Sequence, residues 1–201
     1  MIKNIVFDFG DIFINLDKKK FALGLQELGI SPESEEFWTI IQQYEMGGIS
    51  TQKFCAYFEE KLAVPPDKLS AVWNAILLDF PETRLKFIQE LAANKKYRLF
   101  LLSNTNDLHI SWIQNDWGME LYTTFKNYFE QFYLSHEVHC RKPNKDIYNF
   151  VLEANHLIAE ETLFIDDTKE NIIAAKSLGI HVWHLIPGNE DVVELFTKNI
   201  L

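Results

Sequence analysis

Aspartate is costly inside an apolar strand, yet Asp8 sits within the run Ile5-Val6-Phe7-Asp8-Phe9 near the start of the chain. Two more carboxylates, Asp166 and Asp167, follow Leu163-Phe164-Ile165. Ser103-Asn104 follows a third apolar run, Arg98 to Leu102. In open α/β sheets, ligands bind in the crevice beyond the carboxyl ends of the strands. Three strand ends can therefore bring three carboxylates, a hydroxyl and an amide to one place. Carboxylates gathered in this way repel one another unless a cation sits between them. Hard oxygen donors suit Mg²⁺, which takes few protein ligands and keeps several waters. The Asp166-Asp167 pair has an alternative use as cap and dipole partner of the following helix, although Thr168 can take the cap. Lys142, in Arg141-Lys142-Pro143, lies between the second and third polar strand ends. A lysine there can neutralise the charge of a phosphoryl group held beside the acids.

The elements that must position these residues are four apolar runs that read as buried strands: Ile5 to Phe9, Arg98 to Leu102, Thr162 to Ile165 and His181 to Leu185. Gln131 to Leu134 is a weaker fifth. Helical periodicity fills the intervals. Residues 82–94 align Leu85, Ile88 and Leu91. Residues 144–155 align Ile147, Phe150, Val151 and Ala154. Residues 169–178 align Ile172, Ala175 and Leu178, with Gly179 as the stop. Strands alternating with helices imply an α/β fold with a parallel sheet covered on both faces.

Residues 17–81 interrupt the alternation with four helical patterns and no convincing strand. Asp17 can cap the first, with Phe21, Leu25 and Leu28 inward and a stop near Gly29. Ser31-Pro32 opens the second, proline being favoured at the first helical position; it runs to about Met46 and ends at Gly47-Gly48. Ser50 caps the third, which carries Phe54, Phe58 and Leu62. Pro65-Pro66-Asp67 opens the fourth, with Leu69, Val72, Trp73 and Ile76. Four helices inserted after the first strand read as a separate helical subdomain, dividing the chain into 1–16 with 82–201 and 17–81.

With 201 residues, 47% hydrophobic and 14% aromatic, the chain has ample material for a core. Its net charge of -10 and lack of a basic stripe argue against a nucleic-acid footprint. Lys18-Lys19-Lys20 and Lys95-Lys96 read as solvated faces. Cys55 and Cys140 fall in no metal or redox motif and read as free thiols of a reducing compartment. There is no secretory pattern and no apolar stretch long enough to span a membrane, so a soluble cytoplasmic protein is the expectation. No sequence of the G-x-x-x-x-G-K-[ST] or G-x-G-x-x-G type is present.

Taken together, FDFGDIFINLD at 7–17, LLSNTN at 101–106, RKP at 141–143 and FIDDTKENIIAAKSLGI at 164–180 resemble the four motifs of the haloacid-dehalogenase-like (HAD) superfamily. The likeness extends to the subgroup with a small helical cap that includes bacterial α-glucose-1-phosphate phosphatase; Gly47-Gly48-Ile49-Ser50 resembles its cap loop. The resemblance implies a Rossmann-like three-layer core with a four-helix cap. It implies a Mg²⁺-dependent phosphatase acting on a small phosphorylated metabolite, such as a sugar phosphate, through an aspartyl-phosphate intermediate. By position, Asp8 is then nucleophile and metal ligand, and Gly10 gives its carbonyl to the metal. Ser103 and Asn104 bind phosphate and Lys142 neutralises its charge. Asp167 ligates the metal directly, and Asp166 ligates it or holds a metal-bound water.

One position departs from the family pattern. Most of these phosphatases carry a second aspartate, the general acid and base, where this chain has Gly10; the glucose-1-phosphate-type subgroup also has glycine there. Asp11 is one residue off and points the other way if the chain is extended; Asp17 and Asn15 are weaker substitutes. Without a strong acid, leaving groups that need little protonation, such as anomeric or aryl esters, should be favoured. Gly10 also keeps a non-catalytic binding role in view. A metal-free dehalogenase fits less well, because the paired Asp166-Asp167 would have no use there. Trp38, Tyr44, Phe54 and Trp73 can line a pocket but at helical spacing read first as core. His136 and His139 lie near enough to Lys142 to reach the site, though surface or structural roles suit them better.

Overall fold

The computed structural model describes residues 1–31, 34–198 and 200–201. Five parallel strands form one sheet in the order β3-β2-β1-β4-β5, with β1 Asn4–Phe7, β2 Arg98–Ser103, β3 Gln131–Leu134, β4 Thr162–Asp166 and β5 His181–His184. β1 is central, pairing Phe7 with Leu101 of β2 on one side and with Ile165 of β4 on the other. The weak run 131–134 is a true strand at the sheet edge, followed at once by the short helix α8 (Ser135–Val138).

Side chains alternate across a strand, and the two faces accordingly feed two cores. Ile5, Phe7, Leu99, Leu101, Leu163 and Ile165 pack with Phe87, Ile88 and Leu91 of α5 (Glu82–Asn94), Ile110 and Ile113 of α6 (Asp107–Trp117) and Phe125 of α7 (Met119–Lys126). Val6, Phe100, Leu102 and Phe164 pack with Ile147 and Val151 of α9 (Lys145–Ala154) and Ile172 and Ala175 of α10 (Lys169–Lys176). This is the expected three-layer Rossmann-like arrangement. On α9, Tyr148 is buried instead of Phe150 and Ala154, which lie at the surface. Phe150 stacks edge-on against Tyr133 at 5.3 Å.

Between β1 and α5 come α1 (Lys18–Glu27), α2 (Glu35–Glu45), α3 (Thr51–Leu62) and α4 (Pro66–Asn74). Their starts follow side-chain capping chemistry. Asp17 accepts from the Lys20 N–H, and Ser50 from the Lys53 N–H; Pro66 opens α4. The expected start of α2 at Pro32 lies outside the described residues. The helix begins at Glu35, with Ser34 Oγ accepting from the Phe37 N–H. The four helices enclose their own cluster of Leu25, Phe37, Ile41, Tyr44, Phe54, Phe58, Leu69 and Trp73. Leu62, expected inward, is exposed on the last turn of α3. The two segments joining the helices to the sheet pair with each other: the Asn15 N–H donates to the Asp79 carbonyl, and the Leu78 N–H to that of Asn15.

No helix among the described residues is long and apolar enough to cross a membrane.

Candidate active site

Asp8 follows β1 directly, its N–H donating to the Ile165 carbonyl of β4 at 2.9 Å. Ser103 and Asp166 end β2 and β4 beside it. The strand register thus delivers Asp8, Asp166 and Asp167 together, with one carboxylate oxygen from each lying within 4.8 Å of the others. Lys142 Nζ, fully buried, donates to Asp8 Oδ1 and to Asp166 Oδ2, both at 2.7 Å. Asp166 is further held by the Thr168 N–H at 2.8 Å and by Asn171 Nδ2 at 3.0 and 3.1 Å. Thr168 occupies the cap position of α10 without a side-chain cap bond, so Asp166 does serve that helix start as well.

Burial raises the Asp8 carboxyl to about 7; Lys142 pulls it down, and Asp166 and Asp167 push it up. Burial lowers the Lys142 ammonium, but Asp166 and Asp8 outweigh this and hold it above the ordinary lysine value.

Asp167 meets a second ammonium. Lys18 Nζ, on the first turn of α1, lies 2.6 Å from Asp167 Oδ2 and 2.7 Å from Asp11 Oδ2. Burial lowers its pKa, and the bonds to Asp11 and Asp167 more than compensate, so it stays protonated. Lys18 was expected on a solvated face. Its stem is exposed, but its ammonium is drawn to the acids at the strand ends.

The residues fit a divalent cation. Asp8, Asp11, Asp166 and Asp167 carry four carboxylates against the two ammoniums of Lys18 and Lys142. The remaining deficit matches one doubly charged ion, and the donors are hard oxygens. Gly10 lines the same cleft.

Asn104 stands at the site with its amide turned to the lysine-bearing loop. Its Nδ2 donates to the Lys142 carbonyl at 2.8 Å, and its Oδ1 accepts the Lys142 N–H at 2.9 Å. Ser103 Oγ lines the cleft, with one long bond to the Asn104 carbonyl at 3.4 Å.

The substitutes for the missing acid are engaged elsewhere. Asp11, at φ 55, accepts the Leu16 N–H through Oδ1 and binds Lys18 through Oδ2. Asp17 caps α1, and Asn15 bonds Asp79 and Arg84. A side chain at position 10 would place its Cβ 2.7 Å from Leu16 Cδ1, so the glycine leaves room for that leucine.

A family model for haloacid dehalogenase-like hydrolases matches residues 2–179. The chain belongs to this family. It is 29% identical over 190 residues to the D-ribitol-5-phosphate phosphatase of Bacteroides thetaiotaomicron, covering 91% of each protein. Among solved structures, a HAD family enzyme of the same organism in complex with magnesium superimposes with a TM-score of 0.84 at 35% identity, covering 98% of this chain and 99% of that one. A wild-type structure with magnesium and inorganic phosphate gives 0.82 at 33% identity, covering 98% and 100%.

In this HAD-like hydrolase the cleft over the acids holds about 450 Å³, and its far wall comes from α2 and the lysine-bearing loop: Trp38, Gln42 and Arg141. Of the four aromatics weighed for a pocket, Tyr44, Phe54 and Trp73 are core and Trp38 faces the cleft. Arg141 is clamped by Glu45 of α2, whose Oε2 lies 2.9 Å from one Nη and 3.0 Å from Nε. Burial pushes the Glu45 carboxyl up, and Arg141 restrains the rise. His139 Nδ1 donates to the Met46 carbonyl, and His136 pairs with Asp107 at 3.3 Å. His139 docks the end of α2 and the His136 ring faces the start of α6; neither lines the cleft. Gly47 passes against the His136 carbonyl, where a Cβ has no space. Lys18, Asn171 and the Arg141–Glu45 pair were missed in the sequence. Asn171 alone left a signal: at five residues past Asp166 it falls on the first turn of the following helix, facing back to the strand end.

Proposed function

We propose that this chain is a Mg²⁺-dependent phosphatase in which Asp8 attacks the phosphorus of a small phosphorylated metabolite. The observation that carries the reading is the buried Lys142 ammonium 2.7 Å from both Asp8 and Asp166, beside a third carboxylate. Asp8, Asp166, Asp167 and the carbonyl of Gly10 would hold the ion. When bound, Mg²⁺ would supply positive charge to the phosphoryl oxygens and offset the burial and carboxylate repulsion that raise Asp8.

The remaining steps belong to the chain's own groups. A carboxylate is a weak nucleophile and depends on positioning and charge compensation. Lys142 offsets the phosphoryl charge. Ser103 Oγ orients a phosphoryl oxygen, and Asn104 fixes the loop that aims Lys142. The Asp8 oxygen–phosphorus bond forms as the ester oxygen–phosphorus bond breaks. The departing oxygen takes its proton from solvent, since Asp11, Asp17 and Asn15 are occupied. Water then cleaves the aspartyl phosphate, releasing inorganic phosphate and restoring Asp8.

Residues 17–81 form a cap over this cleft, hinged on the paired segments at Asn15–Asp17 and Ile76–Asp79. The curated relative's substrate, a polyol phosphate, supports a substrate of that general kind. Gly10 and the Gly47-Gly48 loop support placement in the small-cap subgroup.

The test is turnover of p-nitrophenyl phosphate and a panel of sugar phosphates, with and without Mg²⁺, by the wild type and Asp8→Asn. Metal-dependent turnover lost in Asp8→Asn is the expected result. No turnover under any condition would replace this reading with a binding role.

A further inference from the structure

Three kinds of group line the cleft beyond the phosphoryl end: an indole, an amide and a guanidinium. Trp38 and Gln42 are four residues apart on α2 and so share one face of it. Both are exposed, and Trp38 keeps 48% of its surface accessible while the other cap aromatics weighed with it are core. It offers a flat apolar wall, and Gln42 beside it offers one donor group and one acceptor.

The charge of this wall is the second observation. Each cation lining the cleft among the described residues already faces carboxylates. Lys142 faces Asp8 and Asp166, Lys18 faces Asp11 and Asp167, and Arg141 is held on Glu45 at 2.9 Å. Glu170 adds an exposed carboxylate at the rim. A ligand's phosphoryl group can draw on Lys142 and a metal ion. A second anionic group on the same ligand would find no unmatched cation and would meet acidic neighbours.

We infer that Trp38, Gln42 and the Glu45–Arg141 pair form a leaving-group subsite that selects an uncharged, hydroxylated carbon chain, such as a polyol or sugar monophosphate. Esters with a second phosphate or a carboxylate are rejected. The C–H edge of the chain lies on the indole and a hydroxyl bonds the Gln42 amide. Glu45 keeps Arg141 from serving as an anion receptor. This rests on the phosphatase reading above and adds the chemical class of the leaving group and the residues that choose it.

The experiment compares kcat/KM for acetyl phosphate, a pentitol 5-phosphate, 2-phosphoglycolate and a hexose 1,6-bisphosphate in the wild type, Trp38→Ala, Gln42→Ala and Glu45→Gln. In the wild type the pentitol phosphate should exceed both anionic-tail substrates by about a hundredfold, the scale of a like-charge juxtaposition at the acidic wall. In Trp38→Ala and Gln42→Ala the ratio of pentitol phosphate to acetyl phosphate should fall about tenfold, mostly in KM. Glu45→Gln, by freeing Arg141, should shift preference toward 2-phosphoglycolate about tenfold.

Glu45 is partly buried, so its variant is checked for folding by circular dichroism. The two exposed α2 positions carry the test without it. Ratios unmoved in both α2 variants, or equal use of 2-phosphoglycolate by the wild type, would overturn the inference. Failure to hydrolyse acetyl phosphate falls on the phosphatase reading instead. In that event calorimetric binding of the pentitol phosphate against 2-phosphoglycolate decides the subsite, and equal affinities would overturn it.

Discussion

Lys142, its side chain almost fully buried, holds one positive charge between Asp8 and Asp166. Removing one partner from a buried ion pair leaves the others uncompensated. Lys142→Met should therefore destabilise the metal-free protein by about 3–5 kcal/mol in urea unfolding. It should also lower kcat by about 10²–10³, the cost of losing one preorganised electrostatic contact. Unchanged stability would mean that the Lys142 ammonium does not compensate these acids in the resting protein. Leaving-group chemistry gives a second prediction at this scale. With Asp11 tied to the Leu16 N–H and to Lys18, and Asp17 capping α1, neither candidate acid from the first motif is free to protonate the departing oxygen. The rate should fall steeply as leaving-group pKa rises across a series of aryl and alkyl phosphates; a flat series would call for a general acid, for which Glu170 at the rim would be the first residue to test. Asp8, Ser103, Asp166 and Asp167 were legible in the sequence because a polar residue at the end of an apolar strand has few structural uses, and Lys142 because it lies between two such ends. Lys18 was not legible. Its neighbours Lys19 and Lys20 are ordinary exposed lysines, and only the approach of α1 to β4 separates it from them.

The helical insertion meets the core between α4 and α6 through a small polar joint. His109 of α6 donates from Nε2 to the Trp73 carbonyl of α4 at 3.1 Å, and its Nδ1 accepts from Asn106 Nδ2 at 3.3 Å. Asn106 Oδ1 in turn accepts the Trp73 indole N–H. The ring lies 5.8 Å from that of Trp73 in a stacked arrangement. Burial lowers the His109 pKa to about 4. A proton on Nδ1 would also face the Asn106 amide donor. The folded value lies below the unfolded one of about 6.5, so between those values the unfolded chain binds the extra proton. The stabilisation is full above pH 6.5 and is lost as pH falls toward 4, by at most about 3 kcal/mol. His109→Gln, which keeps a donor for the Trp73 carbonyl, should flatten the pH dependence of unfolding in that window. An identical profile in wild type and variant would show that His109 does not set it. The helix starts at Asp17, Ser50 and Pro66 could be read from capping chemistry alone. The inward faces could be read less well: Leu62 and Phe150 match the helical period, but which side of a helix is covered depends on its neighbours.

For the whole molecule, the sheet order was not written in any one segment. Placing β1 between β2 and β4 is what brings residues 8, 103 and 166 together from strands far apart in sequence. That convergence leaves an acidic centre in a chain already at -10, so the folded state should be the form that holds the metal. A ligand that binds only the native state stabilises by about 2.7 kcal/mol at a hundred times its dissociation constant. For a chain of this size each kcal/mol moves Tm by about 2–4 °C. Mg²⁺ at that excess should raise Tm by roughly 5–10 °C, and EDTA should reverse the rise. Asp167 has no buried bonding shell like that of Asp166, so Asp167→Asn should fold and yet lose most of the Mg²⁺-dependent increment. An equal increment in Asp167→Asn would move the ion away from Asp167. A similar rise with NaCl of matched ionic strength would attribute it to general screening of the acids.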